Sequence, residues 1–241
     1  MCHPWLAAGV AGFLGVLVVR EIVPVLRAGN GDALLEHGLL GEGLRRWFRS
    51  RVEPLVDLLL DAGVRADWVS AVQLAISVLC GVAYARGWVF TAGWLLLSGG
   101  TLDVLDGSMA RKRGAASPRG AFVDSVGDRY GECAVFLGLA ARFRDAWPLW
   151  AVLAAAFGAF MVSYTRARAE GLRVACAEGL LQRPERYVLL GGGSLLGSLI
   201  AHLTCAPAAA SIVLVTAIVA VAVLANVTAL QRALAVVRRL A

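Results

Sequence analysis

The sequence predicts an all-α integral membrane protein, a six-transmembrane-helix bundle with an N-terminal amphipathic interfacial helix. Hydrophobic residues make up 59% of the 241-residue chain and charged residues only 17%, and the mean hydropathy is +0.72. A soluble globular domain has about 45–50% apolar and about 25% charged residues. Apolar runs of membrane-spanning length recur along the chain, separated by short polar stretches. These observations together indicate that the chain is inserted in the lipid bilayer.

The basic excess, a net charge of +6, indicates contact with lipid rather than with nucleic acid. The basic residues flank apolar runs instead of forming a soluble basic face. In membrane proteins such residues mark cytoplasmic loops and contacts with anionic headgroups. We therefore expect membrane lipids as partners and no nucleic acid.

The first 66 residues differ from the rest and are predicted to form two segments. Residues 1–37 are an N-terminal apolar segment whose run at 5–19 is short for a membrane span. This run fits an extra tilted helix or a helix on the membrane surface, and no Lys or Arg precedes it as in a signal peptide. Residues 38–66 mix arginines with Leu, Trp, Phe and Val at helical spacing. That pattern predicts an amphipathic juxtamembrane helix in the cytoplasmic interface.

Residues 67–241 are predicted to form the six-helix domain. A hydrocarbon core of about 30 Å needs about 20 apolar residues in each helix. Segments of roughly this length lie near 68–85, 88–110, 120–141, 146–166, 187–204 and 207–230. Their short connectors favour an antiparallel bundle.

The distribution of basic residues predicts the orientation of this bundle. Twelve Lys and Arg residues lie in the connectors after the second and fourth helices and at the C-terminus, against three on the opposite side, Arg86, Arg142 and Arg144. The positive-inside rule then puts both termini and these connectors in the cytoplasm. We expect a multi-pass protein of the cell (cytoplasmic) membrane, with residues 103–128 near its cytoplasmic face.

Four aspartates interrupt the second and third apolar segments. Asp103 and Asp106 share one face of a helix with Gly107 and Ala110, and Asp124 and Asp128 are one turn apart on the next helix. The connector between the helices is short, so the two acidic faces can meet.

Four carboxylates that meet in this way would repel one another unless cations neutralise them. Hard divalent ions with oxygen ligands do this, and four aspartates suit two such ions. Arg111 follows on the same helix, where a diphosphate would need a cation. Intramembrane acids also serve proton or ion transport, so a membrane transporter is the alternative at this point.

The pattern D-x2-D-G-x2-A-R-x8-G-x3-D-x3-D, which runs from Asp103 to Asp128, resembles the signature of the CDP-alcohol phosphotransferase family at every fixed position. The resemblance implies a six-helix fold over roughly residues 40–240. It implies an enzyme that transfers the phosphatidyl group of CDP-diacylglycerol to an alcohol and releases CMP. It also implies two divalent cations, Mg²⁺ or Mn²⁺, held by Asp103, Asp106, Asp124 and Asp128, with Asp128 also acting as the general base. Homodimers are usual in the family.

The same resemblance assigns contacts with the CDP-lipid. The stretch from Asp67 to Ser70 resembles the family's entry to its first helix, although Ala66 and Asp67 replace the usual Pro-Asn pair. The positions that the resemblance places against the CDP-lipid are Asp67, Ser70, Gly107, Ala110, Arg111, Ser117 and Gly120.

The acceptor alcohol is predicted from three further stretches, SYTRARAEGL at 163–172, QRPERYVLL at 182–190 and VTALQR at 227–232. They resemble the branch of the family whose acceptor is inositol 1-phosphate. The resemblance makes Arg166, Arg186 and Arg232 the lining of an acceptor pocket, with Arg183 nearby. Converging arginines suit a phosphorylated acceptor, although arginines in these connectors also serve as topology markers. Glycerol 3-phosphate or another polar alcohol is the alternative acceptor.

Overall fold

The structure is a computed structural model that describes residues 39–113, 117–176 and 179–240, apart from the side chain of Glu42. These residues form α-helices and contain no strand. The helices are α1 Gly41–Asp61, α2 Ala66–Ala85, α3 Val89–Lys112, α4 Pro118–Arg142, α5 Pro148–Gly171, α6 Arg183–Leu203 and α7 Ala208–Leu240. The predicted N-terminal segment, residues 1–37, lies outside the described residues.

The all-α prediction is confirmed, and each of the six predicted segments falls on one of the helices α2 to α7. Among the described helices, three are long and apolar enough to cross a membrane, namely α2, α5 and α7. The protein is therefore an integral membrane protein. Charged side chains lower the hydropathy of the other three of these six helices, α3, α4 and α6, as Asp103 and Asp106 do in α3. The count of six spans stays a prediction.

The chain divides into two compact units. Glu42–Arg142 forms one unit and contains helices α2, α3 and α4 with nearly all of α1. Residues 143–240, together with residues 39–41, form the other and contain α5, α6 and α7.

In the first unit, α1 packs one apolar face against α2 and α3. Val52 and Val56 of α1 are buried in a cluster with Val69, Leu105 and Met109. At the end of α3, Nζ of Lys112 lies 2.6 Å from Oδ1 of Asp57 and 3.2 Å from Oε1 of Glu53 in α1. Helix α1 is thus held against the end of the helix that carries the first two aspartates.

A second stripe on α1 is apolar and exposed. It consists of Leu44, Trp47, Leu55 and Leu58, each at least 43% exposed. The guanidinium of Arg51 lies 5.6 Å from the centroid of the Trp47 ring on the same side of the helix. Helix α1 thus has one buried apolar face and one exposed apolar stripe. The amphipathic juxtamembrane helix over residues 38–66 stays a prediction, as does its location at the membrane surface.

In the second unit, small residues bring the helices close together. A side chain on Gly158 of α5 would lie 2.7 Å from Nδ2 of Asn226 in α7, and that Nδ2 donates to the carbonyl of Ala154, 2.9 Å away. On α6, Gly193 and Gly197 face Ala217 and Val213 of α7 in the same way. Close approach of small residues is how helices associate where apolar burial alone cannot drive them together.

Candidate functional site

The acidic cluster forms where α3 meets α4, in the first unit. One carboxylate oxygen from each of Asp103, Asp106 and Asp124 lies within 4.8 Å of the others. Asp103 and Asp106 come from successive turns of α3, and Asp124 comes from the second turn of α4. The prediction that the two acidic faces meet is confirmed for these three residues.

These three carboxylates fit a divalent cation. They are oxygen ligands of the type that Mg²⁺ and Mn²⁺ prefer, and a bound cation would offset their mutual repulsion. Asp106 is almost fully buried, which makes an uncompensated negative charge there costly. The cluster can therefore hold metal and, through it, a phosphorylated ligand.

Asp128 lies one turn after Asp124 on α4 and is not one of the three clustered residues. It is 7% exposed, and its Oδ1 accepts a hydrogen bond from Nε2 of Gln73 in α2, 3.2 Å away. Nη1 of Arg129 lies 3.7 Å from its Oδ2. The structure therefore places Asp128 one helical turn from Asp124 and against α2.

Helix α2 also contacts the cluster itself. Oγ of Ser70 lies 2.8 Å from Oδ2 of Asp106 and 3.3 Å from the carbonyl oxygen of Ala66. A serine hydroxyl has one hydrogen to donate, and the shorter distance assigns it to Asp106. Sequence reasoning placed Ser70 against the CDP-lipid and missed this contact with a predicted metal ligand.

The predicted CDP-lipid residues of α3 lie together at the end of that helix. Nη2 of Arg111 donates to Oγ of Ser108, 3.1 Å away, and a side chain on Gly107 would lie 3.4 Å from Nη1 of Arg111. The guanidinium thus lies along the surface that Gly107 leaves open. Ala110 is partly buried on the same helix.

The remaining predicted CDP-lipid residues lie at the starts of α2 and α4. Oγ of Ser117 accepts a hydrogen bond from the backbone N–H of Gly120, 3.0 Å away, so Ser117 caps α4, which begins at Pro118. Asp67 forms a 2.7 Å ion pair with Arg65, and both side chains are about 70% exposed. Roles for Ser117 and Asp67 in binding lipid stay predictions.

The four predicted acceptor residues, Arg166, Arg183, Arg186 and Arg232, all lie in the second unit, and the structure separates them by environment. Arg186 is 2% exposed and Arg232 is 4% exposed. The guanidinium of Arg183 lies 6.0 Å from the centroid of the Tyr187 ring. Arg166 is more than half exposed and pairs with Glu170, one turn later on α5, at 2.8 Å.

Arg232 also supports the fold around it. Its Nη1 donates to the carbonyl of Val162 in α5, 2.7 Å away. The loop before α6 packs beside it, because a side chain on Gly179 would lie 3.3 Å from Nε of Arg232 and would overlap Thr228. Thr228 in turn accepts a hydrogen bond from the N–H of Leu181, 3.0 Å away. This bonding ties α5, α7 and the loop together.

Sequence reasoning overlooked Gln73 as a site residue. The available signal was a polar amide three residues after Ser70 in an otherwise apolar helix, and polar residues inside such helices usually face a partner or a site. Which partner it faces depends on how α2 is rotated against α4, and that rotation is not visible in a local sequence pattern.

Comparison with known proteins gives a family match. The family model described as CDP-alcohol phosphatidyltransferase matches residues 64–237. The chain is 34% identical over 162 residues to an archaetidylinositol phosphate synthase of Methanothermobacter thermautotrophicus, covering 67% of this chain and 82% of that protein. It is 33% identical over 156 residues to a phosphatidylinositol phosphate synthase of Cutibacterium acnes, covering 61% and 74%.

Solved structures agree with the sequence matches. A crystal structure of Mycobacterium tuberculosis phosphatidylinositol phosphate synthase with CDP-DAG bound matches at a TM-score of 0.66 and 29% identity, covering 76% of this chain and 92% of that chain. A crystal structure of the same protein in complex with manganese and citrate also matches at a TM-score of 0.66, with 28% identity, covering 76% and 87%.

Proposed function

This chain belongs to the CDP-alcohol phosphatidyltransferase family, and we propose that it transfers the phosphatidyl group of CDP-diacylglycerol to inositol 1-phosphate with release of CMP. The observation that carries this proposal is the cluster of Asp103, Asp106 and Asp124, which occupy signature positions of the family. Relatives named as synthases of inositol phosphate lipids support the acceptor, and a similar structure with CDP-DAG bound supports the donor.

Two divalent cations, Mg²⁺ or Mn²⁺, would be held by Asp103, Asp106, Asp124 and Asp128. The clustered carboxylates support this, as does the manganese in a similar structure. When bound, the cations would stabilise negative charge on the pyrophosphate oxygens.

The chain supplies the base in this proposal. The acceptor hydroxyl must lose its proton as it attacks phosphorus, and a carboxylate within hydrogen-bond reach can take that proton. Asp128 suits this role because it is buried one helical turn from Asp124 and is held by Gln73.

Residues near the cluster would hold the rest of the CDP-lipid. Arg111 would donate hydrogen bonds to its phosphates, since its guanidinium already lies at the end of α3 that carries the aspartates. Gly107, which has no side chain, would leave room for the ligand along this surface. Asp67, Ser70, Ala110, Ser117 and Gly120 would complete the CDP-lipid contacts.

The acceptor's phosphate would be bound by arginines of the second unit. Arg186 and Arg232 are the strongest candidates, because both are buried, where little water competes for a bound phosphate, and a guanidinium binds phosphate in a two-point geometry. Arg183 and Arg166 would contribute from more exposed positions. Arg232 would have a double role, since it also bonds to the carbonyl of Val162.

We propose that residues 67–241 form a six-span bundle in the cell membrane, with the active site open to the cytoplasm. We also propose a homodimer, on the ground that homodimers are usual in the family. The excess of basic residues in the connectors that flank the aspartates supports the orientation. Both substrates are polar at the reacting end, and a cytoplasmic site would let the acyl chains stay in lipid.

The decisive experiment is an assay of CMP release by the purified protein with CDP-diacylglycerol and Mg²⁺ or Mn²⁺. Inositol 1-phosphate should give the fastest release when compared with glycerol 3-phosphate, free inositol and serine. Faster release with glycerol 3-phosphate would replace the proposed acceptor, and no CMP with any of the four would refute the enzymatic function.

A further inference from the structure

Helix α2 presents two polar side chains, one turn apart, to two different acidic helices. Ser70 donates to Asp106 of α3, and Gln73 donates to Asp128 of α4. We propose that Gln73 is a positioning residue, which fixes the carboxylate of Asp128 relative to the metal cluster. This proposal rests on the proposed function, because it takes Asp128 as a metal ligand and base.

The environment of the Gln73–Asp128 bond makes it effective. Gln73 is 4% exposed and Asp128 is 7% exposed, so water competes little for either group. Hydrogen bonds to charged groups are stronger than those between neutral groups, and low local polarity strengthens them further. With Oδ1 held by the amide, rotation of the carboxylate is restricted, and this sets the direction in which Oδ2 points.

The backbones of α2 and α4 are also packed closely together near this hydrogen bond. Helices α2 and α4 touch one turn beyond Gln73, where a side chain on Gly131 would lie 3.0 Å from Cβ of Ser77. Oγ of Ser77 also donates to the carbonyl of Gln73, 3.0 Å away. This packing limits a shift of Gln73 along α4 and helps to position its amide.

Glutamine suits this position because its amide donates a hydrogen bond without carrying charge. An arginine or lysine here would add a second basic partner to Arg129, whose Nη1 lies 3.7 Å from Oδ2 of Asp128, and would compete with a metal cation for the carboxylate. A glutamate would repel it. Methionine has nearly the same length but no donor, which makes Gln73→Met the cleanest way to remove the bond.

The test is a double-mutant cycle on Mn²⁺ affinity, measured from the Mn²⁺-dependent rise in melting temperature of the full chain in detergent. Loss of a group that orients a metal ligand costs about 10- to 100-fold in affinity or activity. Gln73→Met should weaken Mn²⁺ binding about tenfold in the wild-type background. In the Asp128→Asn background the cluster of Asp103, Asp106 and Asp124 would still bind Mn²⁺. There Gln73→Met should change the affinity by less than about twofold, because the carboxylate that Gln73 orients is gone.

Controls separate positioning from general damage to the fold. Ser77→Ala removes a buried hydroxyl from the same helix but keeps the Cβ that packs against Gly131, and it should leave Mn²⁺ affinity unchanged. Gln73→Asn keeps the amide on a side chain that is too short to reach Asp128. If Gln73→Met folds poorly, Gln73→Asn replaces it in the cycle and should show the same roughly tenfold loss of Mn²⁺ affinity.

An equal loss of Mn²⁺ affinity in both backgrounds, or no loss in the wild-type background, would overturn the positioning role. The cycle does not depend on turnover. A wild-type protein that binds Mn²⁺ but releases no CMP would refute the proposed function while the cycle still decides whether Gln73 orients Asp128.

Discussion

Gly138 of α4 lies directly against Gly81 of α2, so closely that a side chain on Gly138 would overlap the backbone carbonyl of Gly81. A side chain on Gly81 would in turn overlap the carbonyl of Ala134. Backbone cannot move aside as the end of a flexible side chain can. This crossing fixes the distance between the helix that carries Gln73 and the helix that carries Asp128.

Replacing Gly138 with Ala should therefore destabilise the protein despite the higher helix propensity of alanine. Overpacking costs about 1–3 kcal/mol, and we expect a drop of several degrees in melting temperature in detergent. Gly192→Ala is the matched control, because Gly192 is also inside a helix but a side chain there meets nothing within 4 Å. A Gly138→Ala protein as stable as Gly192→Ala would contradict the close helix crossing.

Replacing a clustered aspartate should remove enzymatic activity while the protein stays folded. Asp103→Asn or Asp124→Asn should abolish CMP release, because a neutral amide cannot offset the charge of a dication. The melting temperature without metal should stay near that of wild type or rise, since removing one carboxylate relieves repulsion within the cluster. The rise in melting temperature that Mn²⁺ produces should be lost. Activity within about tenfold of wild type, roughly 1.4 kcal/mol of barrier, would contradict a shared metal site.

The helices and the acidic cluster could be predicted because their signals are local. Apolar runs of about 20 residues mark helices without reference to the rest of the chain. The spacing of Asp103 with Asp106, and of Asp124 with Asp128, puts each pair on one helix face. The short connector then leaves few ways to arrange the two faces, and three of the four carboxylates meet as expected.

Contacts that depend on helix rotation and burial could not be predicted in the same way. Gln73 and Asp128 are 55 residues apart, and their hydrogen bond joins two helices that also cross closely at Gly81 and Gly138. Arg166 and Arg186 are both arginines near helix ends in the sequence. Only packing makes the first an exposed partner of Glu170 and the second almost fully buried.

Membrane orientation can be tested with the protein's own cysteines. Cys205, exposed in the turn before α7, should react with a membrane-impermeant maleimide added to intact cells. A cysteine that replaces the exposed Arg113, just after α3, should react only after the membrane is permeabilised. A variant without Cys205 provides the background. Labelling of position 113 from outside would invert the orientation and separate the aspartates from the cytosolic nucleotide.

Substitutions of the arginines in the second unit should change the KM for the acceptor by amounts that differ between positions. Arg186→Ala should raise the KM for inositol 1-phosphate about ten- to a hundredfold, because hydrogen bonds to charged groups contribute about 1.5–3 kcal/mol. The KM for CDP-diacylglycerol should hardly move. Arg186→Lys should recover only part of the loss, since an ammonium cannot bind a phosphate in the two-point geometry of a guanidinium.

Arg232 and Arg166 provide the internal comparison for this prediction. Arg232→Ala should raise the acceptor KM and also lower the melting temperature, because it removes the bond to the carbonyl of Val162. Arg166→Ala should have the smallest effect on the acceptor KM, since its guanidinium is exposed and paired with Glu170. If Arg186→Ala raised the KM of both substrates equally, its role would be in folding. If none of the three variants changed either KM, the acceptor would carry no phosphate, and free inositol or another plain alcohol would replace inositol 1-phosphate as the substrate.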